Sequence, residues 1–229
     1  MEALAASGTR ERGVVLVTGP DSLGISGEPT HLRTLFSSPL AAHFTLLYHR
    51  VGGGERRMVP ENLLKRYFFR FFSLPLFWRR LSEKKPQIVH INNSFNLKGL
   101  ARDCSLALLA KLKGAKVVFE MHGGHPESWV RAHPLCGRIF AWVLRKADTF
   151  AVLSEEQAEF VRRRLGKEPF VVPNMVQVRA QEPAKPSEPP YFLYLGRLLK
   201  TKGVYELLEA ARRVKARVVL AGDGPERER

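Results

Sequence analysis

Residues 191–214 read YFLYLGRLLKTKGVYELLEAARRV. An apolar and aromatic run stops at Gly196. A basic turn follows with Arg197, Lys200 and Lys202, and a second glycine, Gly203, opens a stretch with Leu, Ala and Glu at helical spacing. Residues 216–224, ARVVLAGDG, form another apolar run ending in a glycine turn. Strand, helix and strand, with continuously apolar strands, predict a parallel β-α-β unit. Ligands of such sheets gather outside the carboxyl ends of the strands. Gly196, Arg197, Lys202 and Gly203 follow one such end, and Gly222, Asp223 and Gly224 follow the next. Unpaired amides at a helix start attract anions. An arginine can fork two phosphate oxygens, and a lysine adds a point charge. The arrangement suits a diphosphate. A solvated basic turn, with glycines for geometry alone, is the competing reading.

Upstream of this unit, residues 179–190 read RAQEPAKPSEPP, proline-rich, charged and without periodicity, as in a linker. Before it, six apolar segments alternate with helical ones: GVVLVTGP (13–20), HFTLLYHR (43–50), PQIVHINN (86–93), AKVVFEMHGG (115–124), DTFAVLS (148–154) and EPFVVPN (168–174). This alternation predicts a doubly wound α/β domain over residues 1–178, a linker over 179–190 and an incomplete second β-α-β unit over 191–229. Local signals place helix ends. Glu28 and Pro29 suit a first turn, Gly114 and Gly166 suit C-terminal caps, and Ser154 suits an N-cap. Pro75 is expected to break the long helix near residues 60–86, and HPLCGRIFAWVLRKA (133–147) reads as a single helix.

The 229 residues carry 37 basic and 22 acidic side chains, a net charge of +15, which favours anionic partners. Two cysteines, Cys104 and Cys136, make a disulfide framework unexpected. The N-terminal stretch does not read as a signal peptide, and no run approaches the roughly 20 apolar residues of a membrane span. These features predict a cytoplasmic chain. Residues 63–85 interleave Phe68, Phe69, Phe71, Phe72, Phe77 and Trp78 with Lys65, Arg66, Arg70, Arg79 and Arg80. They read either as a core-packing helix with a basic outer face or as a peripheral contact with the anionic inner face of a membrane. No nucleic-acid reader motif is present, and nucleic acid is not an expected partner. Neither a Walker A loop nor a clean G-x-G-x-x-G follows the first strand. His122-x2-His125 and His133-x2-Cys136 have the short pair spacing of a zinc site, but Pro126 and Pro134 restrict both turns.

Several of these segments together resemble the retaining GT-B glycosyltransferases of the family-4 type, also called glycosyl transferase group 1. YLGRLLKTKG, a helix rich in Leu and Ala, and VVLAGDGP resemble the family's donor-binding motifs. GISGEPTHLRTL resembles its first glycine-rich loop and helix, PQIVHINNS and VVFEMHGGHP two of its strands, and ADTFAVLSEEQAEFV with FVVPNMV the segments that follow. The resemblance covers nearly the whole chain. It implies a GT-B-like fold and transfer of a sugar from a nucleotide-sugar donor to a saccharide or lipid-linked acceptor hydroxyl, with retention. It implies no metal and no cofactor beyond that donor. By resemblance Arg197 and Lys202, with Gly196 and Gly203, hold the donor diphosphate, and Gly222, Asp223 and Gly224 form a donor-side loop. His122 lies by the transferred sugar and acceptor in a catalytic position, and Gly24, Gly27 and Glu28 form the first glycine-rich loop. The bland alternatives are a satisfied histidine in a glycine turn for His122, and turn and cap chemistry for the first loop. His90, inside its strand, reads as a buried structural residue.

Two features depart from the family pattern. Met175 stands where the family has glycine after Asn174, and the sequence ends before the family's acidic E-x7-E motif. The expectation is therefore little or no transferase activity from this chain alone, and possible pairing with a complementary C-terminal fragment. A non-catalytic remnant or partner subunit is the alternative.

Overall fold

The computed structural model describes residues 12–22, 27–51, 63–94, 97–175 and 189–228, with only the backbone for 63–71 and 94. The chain divides into two compact units, Met1–Gln177 and Val178–Arg229.

The first unit is built on six strands: β1 (Val14–Gly19), β2 (Thr45–Arg50), β3 (Ile88–Ser94), β4 (Lys116–His122), β5 (Thr149–Val152) and β6 (Phe170–Val171). They lie in the order β2-β1-β3-β4-β5-β6, every pair parallel. The chain steps from β1 to one side for β2, then returns past β1 to the other side for β3. The carboxyl ends of β1 and β3 thus flank a topological switch point, where open α/β sheets bind ligands.

Helices α1 (Gly27–Phe36) and α2 (Leu40–His43) join β1 to β2, α3 (Leu63–Lys84) joins β2 to β3, and α4 (Leu97–Leu112) joins β3 to β4. Two separate cores show that the sheet is covered on both faces. Leu16, Val89, Ile91, Val117, Phe119 and Met121 pack with Phe77 and Leu81 of α3 and with Leu106 of α4. Val15 and Val17 pack with Leu32 and Leu35 of α1. Burying each of these side chains contributes about 1.5–3 kcal/mol over leaving it exposed. In β3 and β4 the apolar residues alternate with polar ones. Val89, Ile91, Phe119 and Met121 face one core, and the intervening His90, Asn92, Glu120 and His122 point to the opposite face.

Several local expectations hold. Gly114 and Gly166 close their helices in the left-handed region, at φ +79° and +67°. The Ser154 hydroxyl accepts from the Gln157 amide at the start of α7 (Glu155–Phe160), which continues as a π-type turn over Val161–Leu165. Cys104 and Cys136 are free thiols.

One local expectation fails. The long helix is not broken at Pro75, for α3 runs through it to Lys84. An interior proline loses its N–H donor and crowds the carbonyl four residues back, and the burial of Phe77 and Leu81 beyond it offsets that local cost. The helix expected over residues 133–147 is present as α6 (Pro134–Leu144), and a short helix that was not expected, α5 (Pro126–Ala132), precedes it. His133 caps both, and Pro134 starts α6 where its missing N–H costs nothing. Among the described residues, no helix is long and apolar enough to cross a membrane.

In the second unit β7 (Tyr191–Leu195) pairs in parallel with β8 (Arg217–Ala221), from Tyr191 opposite Arg217 to Leu195 opposite Ala221. Helix α8 (Val204–Ala211) connects them. Phe192, Leu193 and Leu195 on β7 and Leu208 on α8 are exposed.

Candidate functional site

Four residues from the polar face of β3 and β4, and one from α1, form a buried cluster beside the switch point. Asn92 lies opposite Glu120 in the parallel register, and Ser94 lies opposite His122. The Asn92 side-chain nitrogen donates to the Thr18 carbonyl at 2.8 Å, which turns its oxygen toward His122 Nε2, also at 2.8 Å. His90 Nε2 lies 2.7 Å from Glu120 Oε2. The other carboxylate oxygen, Oε1, lies 3.3 Å from His31 Nε2 and 3.4 Å from His122 Nε2. The rings of His31 and His122 meet edge to face, with centroids 4.6 Å apart.

Burial and the neighbouring imidazoles together set the electrostatics. Burial pushes the His122 imidazole down to about 4, helped by His31 and His90 and opposed by the Glu120 charge, so the ring is neutral at neutral pH. For Glu120 burial works toward a higher pKa. Contacts from His31 and His90 outweigh it and hold the carboxyl below its usual range. A neutral imidazole beside a carboxylate can accept or donate a hydrogen bond without a net charge change, which suits the handling of hydroxyl groups. Of the sequence-predicted residues, His122 lies in this cluster at the carboxyl end of β4, and His90, expected to be buried, is a half-buried partner of Glu120.

The first glycine-rich loop is only partly covered. Gly24 lies outside the described residues. Gly27 and Glu28 form the first turn of α1, and a β-carbon on Gly27 would meet nothing within 4 Å. The proposed zinc ligands are not brought together. His125 sits 3.5 Å from Glu156, while His133 stacks on Trp129. The potential ligand cluster among the described residues is His31, Glu120 and His122.

In the second unit the two loops past β7 and β8 are bound together. The Gly196 amide donates to the Ala221 carbonyl at 3.1 Å, and the Leu198 amide to the Asp223 carbonyl at 3.0 Å. Tyr194 holds the basic turn from beneath, its hydroxyl donating to the Arg197 carbonyl at 2.9 Å. Lys200–Lys202 form a 3-10 turn ending at Gly203, which is left-handed at φ +75° and caps α8. The amides of the first turn of α8 have no partner within the helix. The Asp223 carboxylate accepts from the Gly224 amide at 2.8 Å and lies 3.9 Å from Arg227 Nη1. Arg197 and Lys202 are exposed and form no ion pair among the described residues.

Sequence reasoning missed His31, Asn92 and Glu120. The available signal was the alternation in VHINN and FEMH, where every second residue is polar in a strand otherwise fit for burial.

Two family models match the sequence. One described as Glycosyltransferase Family 4 matches residues 29–180, and one described as Glycosyl transferases group 1 matches residues 177–229. No curated protein matches the chain.

Proposed function

The chain belongs to the family-4 glycosyltransferases, and from that membership we propose that it transfers a sugar from a nucleotide-sugar donor to an acceptor hydroxyl with retention of configuration. The observation that carries this reading is the knitted pair of loops past β7 and β8, with Arg197 and Lys202 beside the open start of α8. Departure of a nucleoside diphosphate leaves charge on the leaving oxygen, and fixed cations and amides stabilise that charge. Arg197 forks the phosphate oxygens, Lys202 adds its ammonium, and Gly203 sets the turn that brings Lys202 to the helix start. His122, neutral and buried, holds a hydroxyl of the transferred sugar. This chemistry uses no metal and no cofactor besides the donor.

Calorimetry with nucleoside diphosphates and nucleotide sugars tests the reading. Each charge-assisted contact is worth about 1.5–3 kcal/mol, so Arg197→Ala and Lys202→Ala should each weaken binding by roughly 10-fold to 150-fold. Equal affinity in the wild type and both variants would remove these residues from the site. Retention is tested separately, by the anomeric configuration of the product in NMR.

A second reading concerns partners. The exposed apolar residues of β7 and α8 favour a covering polypeptide that adds strands to this two-stranded sheet. The outer face of α3, with Phe72 and Trp78 exposed among Arg79, Arg80 and Lys84, favours peripheral contact with an anionic membrane.

A further inference from the structure

We propose that His31, Glu120 and His122 form a binding site for a divalent transition-metal ion of the Zn2+ class. His31 comes from α1, and Glu120 and His122 stand two apart on β4 and therefore on one face. One ligand atom from each of the three lies within 4.8 Å of the others. Glu120 Oε1 is 3.3 Å from His31 Nε2 and 3.4 Å from His122 Nε2. In a tetrahedral shell with metal–ligand bonds of about 2.0–2.1 Å, neighbouring donors stand about 3.3 Å apart. Two edges of such a shell are thus already in place.

The donors are also short of other partners. The side chains of His31 and Glu120 are 4% and 3% exposed. Among the described residues, neither ring nitrogen of His31 nor Oε1 of Glu120 makes a well-aligned hydrogen bond. A metal ion would engage His31 and Oε1 at once. When it takes the lone pair of His122 Nε2, the single proton of that neutral ring resides on Nδ1. The Asn92 amide oxygen, 2.8 Å from Nε2, then becomes available as a fourth donor. His90, 2.7 Å from Oε2, fixes the far side of the carboxylate, as outer partners of metal-binding carboxylates do. Two imidazoles with oxygen donors suit Zn2+, Co2+ or Ni2+ better than Mg2+ or Ca2+. An ion here would take His122 from the sugar and so inhibit transfer. That consequence rests on the transferase reading, whereas the binding does not.

The test is titration of the metal-stripped full chain with Zn2+ by calorimetry and with Co2+ by absorption. The expected result is one ion per chain, with intense Co2+ bands of low coordination number. His31→Gln and Glu120→Gln should each weaken binding by about tenfold or more, with folding checked by circular dichroism. The surface variant His125→Ala with Cys136→Ser should bind as the wild type does. No binding by the wild type, or unchanged binding in the two cluster variants, would overturn the proposal, as would loss of binding in the surface variant. X-ray absorption at the zinc edge of the wild-type complex decides the matter even if the cluster variants do not fold. Two imidazoles with oxygen donors support the site, and a sulfur ligand or a single imidazole overturns it.

Discussion

Gly222 passes so close to Gly196 that a β-carbon on Gly222 would lie 1.8 Å from the Gly196 carbonyl oxygen. The obstacle is backbone, so no rotamer change relieves it. Gly224 stands in the same relation to Leu198, whose carbonyl oxygen would lie 2.0 Å from the added carbon. Gly222→Ala must therefore push the two loops apart. Forced overpacking costs about 1–3 kcal/mol, occasionally more. The expected outcome is faster amide exchange at Gly196 and Leu198, two of the donors that bridge the loops, and weaker nucleoside diphosphate binding. Unchanged exchange at both amides in Gly222→Ala would show that the loops are not held as described.

His49 supplies a pH prediction. Its ring is 3% exposed and packs against Phe77, with Nε2 donating to the Ser73 carbonyl at 3.1 Å. Burial, reinforced by Arg80, pushes its pKa down from 6.5 to about 4. The unfolded chain binds a proton on His49 as pH falls below about 6.5, while the folded chain resists until about 4. The stabilisation is therefore complete above 6.5 and drains away between 6.5 and 4, by an amount on the order of 3 kcal/mol. His49→Gln keeps a donor for Ser73 and has no proton to bind. Denaturation curves at several pH values should show a shallower acid decline in the variant than in the wild type. Parallel declines would refute the assignment.

Asn92 links β1, β3 and β4 through one side chain, and its loss should be felt as stability. Asn92→Ala removes a donor from the Thr18 carbonyl and an acceptor from His122, both in buried surroundings. Unmet buried hydrogen-bonding groups cost about 1–3 kcal/mol. Urea denaturation should register a loss in that range. A change within about 0.5 kcal/mol, the usual size for an exposed position, would mean that water replaces the amide without cost.

The parallel sheet was legible in the sequence because its strands are runs of Val, Leu, Ile and Phe punctuated by helix caps such as Gly114, Ser154 and Gly166. The loops around Arg197 and Gly222 were legible because glycines and cations at strand ends leave a local pattern. The buried cluster was much less so. His31 is separated from Glu120 by 89 positions, and only the topology brings its side chain from α1 to β4. The continuity of α3 was equally hidden, since the cost of Pro75 is local while the anchors that offset it, Phe77 and Leu81, act through the core.

The aromatic content of α3 is divided between two environments, and that division shapes the membrane prediction. Phe77 and Leu81 are fully buried, whereas Phe72 is 50% and Trp78 41% exposed. Lys113 lies over the Trp78 ring, 4.0 Å from its centre, which adds a cation to the same surface. Not every base on the helix is available: Arg79 pairs with Glu83 at 3.0 Å, and Arg80 donates to the Tyr48 carbonyl. Among the described side chains, Lys84, Lys85 and Lys113 are the bases expected to meet lipid headgroups, each contributing about 1 kcal/mol near an anionic surface. Flotation with anionic and neutral vesicles should show binding to the anionic ones alone. Salt should weaken it as the Debye length shrinks from about 10 Å at 0.1 M toward 3 Å at 1 M. Lys84→Glu with Lys85→Glu should lower binding through charge, and Trp78→Ala through lost insertion, without disturbing the core residues Phe77 and Leu81. Binding that ignores lipid charge, salt and both variants would assign the outer face of α3 to solvent.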